Sequence, residues 1–109
     1  MKTSELQGAA LDWAVAKCEG NIGHELKDFW LVHMEDPDLQ YSTNWAQGGP
    51  ILERERMMIE PYNDQWRAHK FTDEPPFVRA FGPTPLIAAM RCYVASILGD
   101  EVEILGGLK

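Results

Sequence analysis

The fold is decided by residues 82–103, which read GPTPLIAAMRCYVASILGDEVE. Thr84 can cap the first turn of a helix, and the missing N–H of Pro85 costs nothing at the first helical position. Gly99 stands where a helix commonly ends in a left-handed residue. The stretch therefore predicts a helix from about Pro85 to Leu98.

This predicted helix has two different apolar faces. Its large side chains share one continuous arc, and they are Leu86, Ile87, Met90, Tyr93, Val94, Ile97 and Leu98. The opposite arc carries small residues where a surface helix would carry Lys and Glu, namely Ala88, Ala89, Cys92, Ala95 and Ser96. Such a helix contacts protein on both sides. We favour a second element of the same chain, and the alternative is a homodimer through Ala88, Cys92 and Ala95.

Length and composition indicate one domain over residues 1–109. The chain is 45% hydrophobic and 25% charged, as is usual for a globular domain. Its net charge of −7 argues against direct binding of nucleic acid, which requires a basic surface. No apolar run reaches the ~18 to 20 residues that span a bilayer, so no membrane association is expected.

The two cysteines, Cys18 and Cys92, lack CxxC spacing and follow no secretory signal. We therefore expect reduced thiols in a cytosolic protein. The histidines His24, His33 and His69 are too scattered for a metal site, and no cofactor is expected.

The first part of the chain predicts a second helix. Ser4 and Gln7 have capping-box spacing, and the helix is expected to reach about Cys18 before Gly20 and Asn21 end it. Three acidic residues recur at seven-residue intervals and are expected to face water, and they are Glu5, Asp12 and Glu19.

The middle of the chain predicts short elements. Residues 29–32 are expected to form a first strand. Ser42, Thr43 or Asn44 can cap a short helix, which Gly48, Gly49 and Pro50 are expected to break.

Residues 57–62 and 66–71 predict a β-hairpin around residues 63–65. A loop over 72–76 and the Gly82–Pro83 pair then lead to the long helix, while Val102, Ile104 and Leu105 predict a short edge strand before a flexible tail at about 105–109. The resulting fold class is α+β, a small antiparallel sheet with helices packed on its faces.

No phosphate-binding loop, dinucleotide fingerprint, HExxH or GxSxG motif is present. An enzyme using Glu53, Arg54 or Cys92 is the least favoured function, because alternating charge on a solvated edge explains residues 53–56 equally well. Whether the protein is an enzyme stays open at this point, and the absence of catalytic motifs favours a protein without enzymatic activity.

Aromatic and polar residues form the candidate binding set, which consists of Tyr41, Trp45, Trp66, Thr84 and Arg91. Aromatic faces, an arginine and a helix N-terminus suit a planar or anionic ligand. The alternative is structural. In that interpretation the aromatic rings fill the core or a turn, and Arg91 caps carbonyls or pairs with a carboxylate.

The order of four strings, LDWAVAKCEG, YSTNWAQGGPILERE, QWRA and GPTPLIAAMRCYVASILGDEVE, closely resembles the NinX-like proteins of lambdoid phages and prophages. The chain is also similar, more loosely, to the small phage α/β/α sandwich domain. Met57 and Met58 depart from an expected glycine, and Ile97 departs from a usual lysine. The resemblance implies a helix on each face of an antiparallel sheet and an accessory protein made in the host bacterial cytoplasm during phage growth. It implies no activity.

Three functions stay open at this point. The favoured one is a non-enzymatic binding protein that acts on a host or phage macromolecule. The second is a protein that binds or sequesters a small, nucleotide-like ligand through the aromatic and arginine set. The third, disfavoured, is an enzyme.

Overall fold

A computed structural model describes residues 2–19, 39–70 and 78–100 of the chain. A 3-10 turn, Thr3–Glu5, precedes helix α1, Gly8–Cys18. Helix α2, Trp45–Arg54, is followed by strands β1, Met58–Tyr62, β2, Gln65–Lys70, and β3, Val78–Gly82. Helix α3, Pro85–Leu98, completes the described elements. The α+β class and the antiparallel sheet are confirmed.

Helix α3 has the boundaries that its sequence predicts. The Thr84 hydroxyl oxygen accepts the N–H of Ile87 at 3.1 Å, and Pro85 is the first helical residue. Gly99 ends the helix with φ 84°, a conformation that glycine adopts without a steric penalty. The start and the stop of this helix are therefore set by local chemistry.

Helix α3 lies between the sheet and the other two helices. It contacts all three strands on one side and both α1 and α2 on the other, whereas α1 and α2, as far as the chain is described, make no contact with the strands. The large and small faces of α3 are thus both used within the chain. The helix that the sandwich resemblance implies on the opposite face of the sheet is not among the described residues.

The small-residue face of α3 approaches the sheet closely. A Cβ added at Gly82 would lie 2.8 Å from the main-chain nitrogen of Ala88, and the Cys92 thiol is 3.5 Å from the carbonyl oxygen of Val78. Ala88 and Cys92 are fully buried, while Ala95 is half-buried. A homodimer through this face stays a prediction, and Ala95 is the member of the set that solvent reaches.

The predicted hairpin is confirmed. Strands β1 and β2 pair antiparallel, with Tyr62 opposite Gln65 across a turn at Asn63 and Asp64. Asn63 has φ 53°, in the left-handed region that asparagine tolerates better than most residues. Ile59, Ala68 and Ala80 lie side by side across the three strands and face α3.

Strand β3 was not predicted, because Gly82 and Pro83 indicated a simple connection into the helix. Residues 78–82 nevertheless pair antiparallel with β2, placing Ala80 opposite Ala68. The strand brings Arg79 and Phe81 to an edge of the described sheet.

Two predictions for the first helix are wrong. Ser4 lies in the 3-10 turn, and Gln7 precedes α1 without a side-chain cap, so no capping box forms. The acidic residues do not all face water: Asp12 is 7% exposed and accepts the main-chain N–H of Ser42 at 2.8 Å. Glu19 is bound by Arg54. Tertiary partners that the periodicity cannot show hold these two carboxylates.

Helix α2 begins as predicted but does not break at its glycines. The Asn44 side chain accepts the N–H of Ala46 at 2.8 Å, and the helix continues through Pro50 to Arg54. Gly48 fits because a Cβ there would lie 2.3 Å from the carbonyl oxygen of Tyr41. Gly48 therefore reflects close packing, and the helix continues through Pro50 although proline has no N–H to donate to the carbonyl oxygen of Ala46.

Several predictions lie outside the described residues. They are the strand at 29–32, the helix end at Gly20 and Asn21, the loop at 72–76, the edge strand at 102–105 and the tail at 105–109, together with His24 and His33.

Candidate functional site

A cleft of about 440 Å³ lies beside strand β3, between the N-terminal residues and helix α3. It combines cationic, hydroxyl and amide groups with a larger apolar part, and the described residues that line it are Lys2, Thr3, Ser4, Gln65, Arg79, Ala80, Phe81, Arg91, Ala95 and Asp100. Its volume is within the range of small-molecule sites. We call this cavity the cationic cleft.

The N-terminal wall of the cleft is tied to the end of α3. The Thr3 hydroxyl donates to the carbonyl oxygen of Gly99 at 2.6 Å, and the Thr3 N–H donates to the carbonyl oxygen of Asp100 at 2.8 Å. Thr3 is buried, and the flanking Lys2 and Ser4 are exposed. These bonds hold Lys2 and Asp100 at the same cavity.

Arg91 forms the floor of the cationic cleft. Its Nε–H donates to the carbonyl oxygen of Leu6 at 2.7 Å, and Nη1 donates to the carbonyl oxygen of Phe81 at 2.8 Å. The residue is 9% exposed, and burial lowers the pKa of its guanidinium from the ordinary value. Within residues 2–19, 39–70 and 78–100 it has no carboxylate partner. Among the described residues, Arg91 is thus a buried cation without a carboxylate counter-ion.

Two further basic residues line the same cavity. Lys2 and Arg79 are exposed, and neither forms an ion pair with any other described residue. Asp100 is the one carboxylate among the described residues that line the cleft. Three cations and one carboxylate leave two formal positive charges in a cavity of a chain whose net charge is −7. The described lining of the cleft is therefore opposite in sign to the protein as a whole.

The structure brings one of the five predicted site residues, Arg91, to the cleft. Thr84 caps α3 with its hydroxyl. Trp66 lies in β2 opposite Gly82 and is half-buried against the core. Tyr41 also packs on the core, and Trp45, the first residue of α2, is 53% exposed. These four residues are not among those that line the cleft.

The cleft residues that the sequence did not single out are Lys2, Thr3, Gln65, Arg79, Ala80, Phe81 and Asp100. They come from the N-terminal turn, the hairpin, the edge strand and the end of α3. These residues form no motif with a recognisable spacing along the chain. Only the packing of α3 against β3 and the N-terminal residues shows that they lie together. The sole local signal was the lone arginine of an otherwise uncharged helix.

A separate polar network joins the ends of the helices and of β2. Arg54 binds both oxygens of Glu19, at 3.0 and 2.7 Å, and also binds Glu55 at 2.9 Å. The Tyr93 hydroxyl donates to Glu19, and Lys70 donates to Glu55 at 2.5 Å. The Arg54 bonds hold the pKa of Glu19 below its usual value. Because every charged group in this network has a partner, we interpret the network as one that stabilises the fold.

The proposed catalytic groups lack the features of an activated site. Cys92 is fully buried, and burial raises the pKa of its thiol to about 11. A reactive cysteine needs the opposite shift. Arg54 is engaged by Glu19 and Glu55, and Glu53 is exposed on α2.

His69 lies in β2 with Nε2 3.3 Å from Glu60, on the sheet face away from α3. Among the residues that the structure describes, no group of three or more His, Cys, Asp or Glu side chains could hold a metal ion. Likewise, no described helix is both long and apolar enough to cross a membrane.

Comparison with known proteins gives one assignment. No curated protein matches the chain. A family model described as "Bacteriophage P22, NinX" matches residues 2–97, which include every described helix and strand apart from the final residue of α3. The chain therefore belongs to the NinX family of phage proteins.

Proposed function

We propose that this phage accessory protein is a non-enzymatic binding protein that receives a small anionic ligand in the cationic cleft. The observation that carries the proposal is the buried guanidinium of Arg91, which faces the cavity with two carbonyl partners and no described carboxylate. Burying a charge is costly unless it is paired. An anion in the cleft would supply the missing countercharge.

The position of the other cations supports the same function. Lys2 and Arg79 approach from two different elements, so an anion in the cleft would be contacted from several directions. The ammonium and guanidinium groups, together with the Gln65 amide, are donors suited to carboxylate, sulfate or phosphate oxygens. This function develops the small-ligand hypothesis, with the ligand contacting Arg91 but not the predicted aromatic set.

The test is a titration of ¹⁵N-labelled protein with phosphate, sulfate and acetate at constant ionic strength and pH 7.5. We expect saturable shifts of the amide signals of residues 2–4, 79–81 and 95 with at least one of these anions. Arg79→Gln should weaken that binding by about tenfold, the effect of ~1.4 kcal/mol.

The matched control is Arg56→Gln. Both arginines are exposed, and neither forms an ion pair in the described part of the chain, but Arg56 does not line the cleft. Binding in the control should equal that of the parent protein. Shifts that never saturate, or equal weakening in both variants, would contradict the proposal.

The wider role that we propose is action on a host or phage macromolecule in the host bacterial cytoplasm. Met58 and Tyr62 support it, because they lie on the sheet face away from α3 and are 49% and 40% exposed. Purification of the tagged protein from infected cells should yield a stoichiometric partner, and Met58→Lys with Tyr62→Lys should lose it. Repeated recovery of the protein alone would count against this role.

A further inference from the structure

The charge of the cationic cleft restricts the ligand beyond its being an anion. Lys2, Arg79 and Arg91 face one carboxylate, Asp100, so two positive charges have no partner among the described residues. A monoanion would neutralise half of this excess. A dianion would neutralise all of it, and phosphate monoesters carry a charge of about −2 at pH 7 because their second pKa is about 6.

The arrangement of donors also matches a phosphate group. Guanidinium groups present their N–H bonds in a planar fork that fits phosphate oxygens, and an ammonium adds a compact point charge. Arg91 uses Nε and one terminal nitrogen for carbonyl bonds, and its other terminal nitrogen makes no described hydrogen bond. Arg79 and Lys2 form no side-chain hydrogen bonds in the described regions. Donors without a described partner thus belong to three residues that line the cavity.

Charge and size limit what can be attached to the phosphate. The net charge of −7 opposes approach of a long polyanion, so a nucleic-acid strand is a poor ligand for this protein. The cleft volume of about 440 Å³ suits a small molecule, and Ala80, Phe81 and Ala95 supply an apolar part of the lining.

We infer that the ligand of the cationic cleft is a small phosphate monoester bound as its dianion. This inference rests on the proposed function, since it names the class of anion for the same site. Lys2 and Arg79 contact the phosphate from the solvent side and Arg91 from the floor, while the organic part of the ligand lies along Ala80 and Ala95.

Two probes of equal size distinguish the dianion from other anions. Methyl phosphate gains its second charge near pH 6, whereas methyl sulfate keeps one charge throughout the range from pH 5 to 7.5. Both are titrated into the same ¹⁵N-labelled protein, and the ratio of their affinities is compared between the two pH values. Titration of protein groups affects both probes and largely cancels in this ratio.

We expect the affinity ratio of methyl phosphate to methyl sulfate to rise about tenfold from pH 5 to pH 7.5, following the dianion population. Arg79→Gln, which removes one cation, should lower the ratio at pH 7.5, and Arg56→Gln should leave it unchanged. Asp100→Asn, which removes the lining carboxylate, should strengthen the binding of both probes.

The outcomes separate this inference from the proposed function. Saturable binding of methyl sulfate with an equal or lower affinity for methyl phosphate at pH 7.5 would overturn the dianion inference and leave anion binding in place. Absence of binding by either probe, and by acetate, would overturn both. Tighter binding of a 5′-phosphorylated oligonucleotide than of methyl phosphate would overturn the small-molecule assignment.

Discussion

The guanidinium of Arg91 donates its Nε–H to the main-chain oxygen of Leu6, a residue 85 positions earlier, at 2.7 Å. The same side chain reaches the carbonyl oxygen of Phe81. One arginine therefore connects the N-terminal segment, the edge strand β3 and the central helix. It is at once a structural side chain and the floor of the cationic cleft.

Replacing Arg91 with methionine should destabilise the fold. The substitution keeps an apolar stem of similar length but leaves two carbonyl oxygens, one of them buried, without their charged donor. Hydrogen bonds to charged groups contribute about 1.5–3 kcal/mol each, and removal of an unpaired buried charge offsets part of the loss. We expect a decrease of about 2–3 kcal/mol in the free energy of unfolding, measured by urea denaturation.

Arg56→Met is the control for this change, because Arg56 is exposed and away from the cleft. Its effect should stay within about 0.5 kcal/mol. An equally small effect at Arg91 would show that water satisfies both carbonyls when the guanidinium is absent.

The two adjacent glycines of α2 should respond differently to alanine. At Gly48 a Cβ would lie 2.3 Å from the carbonyl oxygen of Tyr41 and 2.7 Å from Cδ1 of Leu86. The Tyr41 main chain cannot withdraw without moving the turn before α2, so Gly48→Ala should lower the melting temperature and cost about 2 kcal/mol or more.

At Gly49 the nearest atom, on the Trp45 ring, would be 3.7 Å away, an ordinary contact. Gly49→Ala should therefore cost less than Gly48→Ala and stay within about 1 kcal/mol of the parent protein, because contact of the new Cβ with Cδ of Pro50 offsets the higher helix propensity of alanine. The melting temperatures of Gly48→Ala and Gly49→Ala, measured by thermal unfolding, provide the comparison. Equal losses for both variants would mean that α2 tolerates no side chain on either face here.

The network around Glu19 should make part of the stability depend on pH. The Arg54 hydrogen bonds lower the pKa of Glu19 in the folded protein from its ordinary 4.5. A lowered folded-state pKa means that the stabilisation is fully present above about pH 4.5 and is lost as the pH falls through the folded value. Because Arg54 is half-exposed, we expect Glu19→Gln to cost only about 1–2 kcal/mol at pH 7.

The difference in the free energy of unfolding between Glu19→Gln and the parent protein should shrink as the pH is lowered below 4.5. Urea denaturation of both proteins at a series of pH values measures it. Glu5→Gln is the control, since Glu5 is exposed and forms no ion pair in the described residues. A difference for Glu19→Gln that is constant from pH 7 to pH 3 would show that the carboxylate charge contributes nothing.

Both cysteines should react slowly in the folded protein. Burial is the largest cause that raises the pKa of Cys18 to about 12 and of Cys92 to about 11. Thiolate is the reactive form, so at pH 7.5 a disulfide reagent such as DTNB should label the native protein much more slowly than the urea-unfolded protein. Cys18→Ser leaves the fully buried Cys92 as the reporter. Rapid native labelling of that variant would contradict the packing of Cys92 against Val78.

Sequence reasoning predicted the elements whose signals are local. Thr84, Pro85 and Gly99 fix the ends of α3, and the polar residues at 63 and 64 fix the hairpin, because each acts on backbone groups a few residues away. The burial of α3 on two sides could also be predicted from the sequence, since small residues stand where a solvent-exposed helix face would carry charged ones.

The features that were missed depend on distant partners. Asp12 is buried because the Ser42 main chain, 30 positions later, supplies an N–H. Gly48 resembles part of a helix break unless the nearby Tyr41 carbonyl is known. The cationic cleft combines residues from 2 to 100, and of the predicted binding set it includes Arg91, because ring content carries no information on which charges converge.

The central position of α3 has a consequence for synthesis of the protein. Ribosomes make α1, α2 and the β-hairpin before α3, yet all of them contact it. Until Pro85–Leu98 has emerged, apolar side chains such as Leu11, Ile51 and Ala68 lack the surface that buries them in the finished fold. Nascent chains of this protein therefore depend on late, long-range collapse, and ribosome-bound intermediates that stop before Pro85 should be sensitive to proteases and be bound by chaperones.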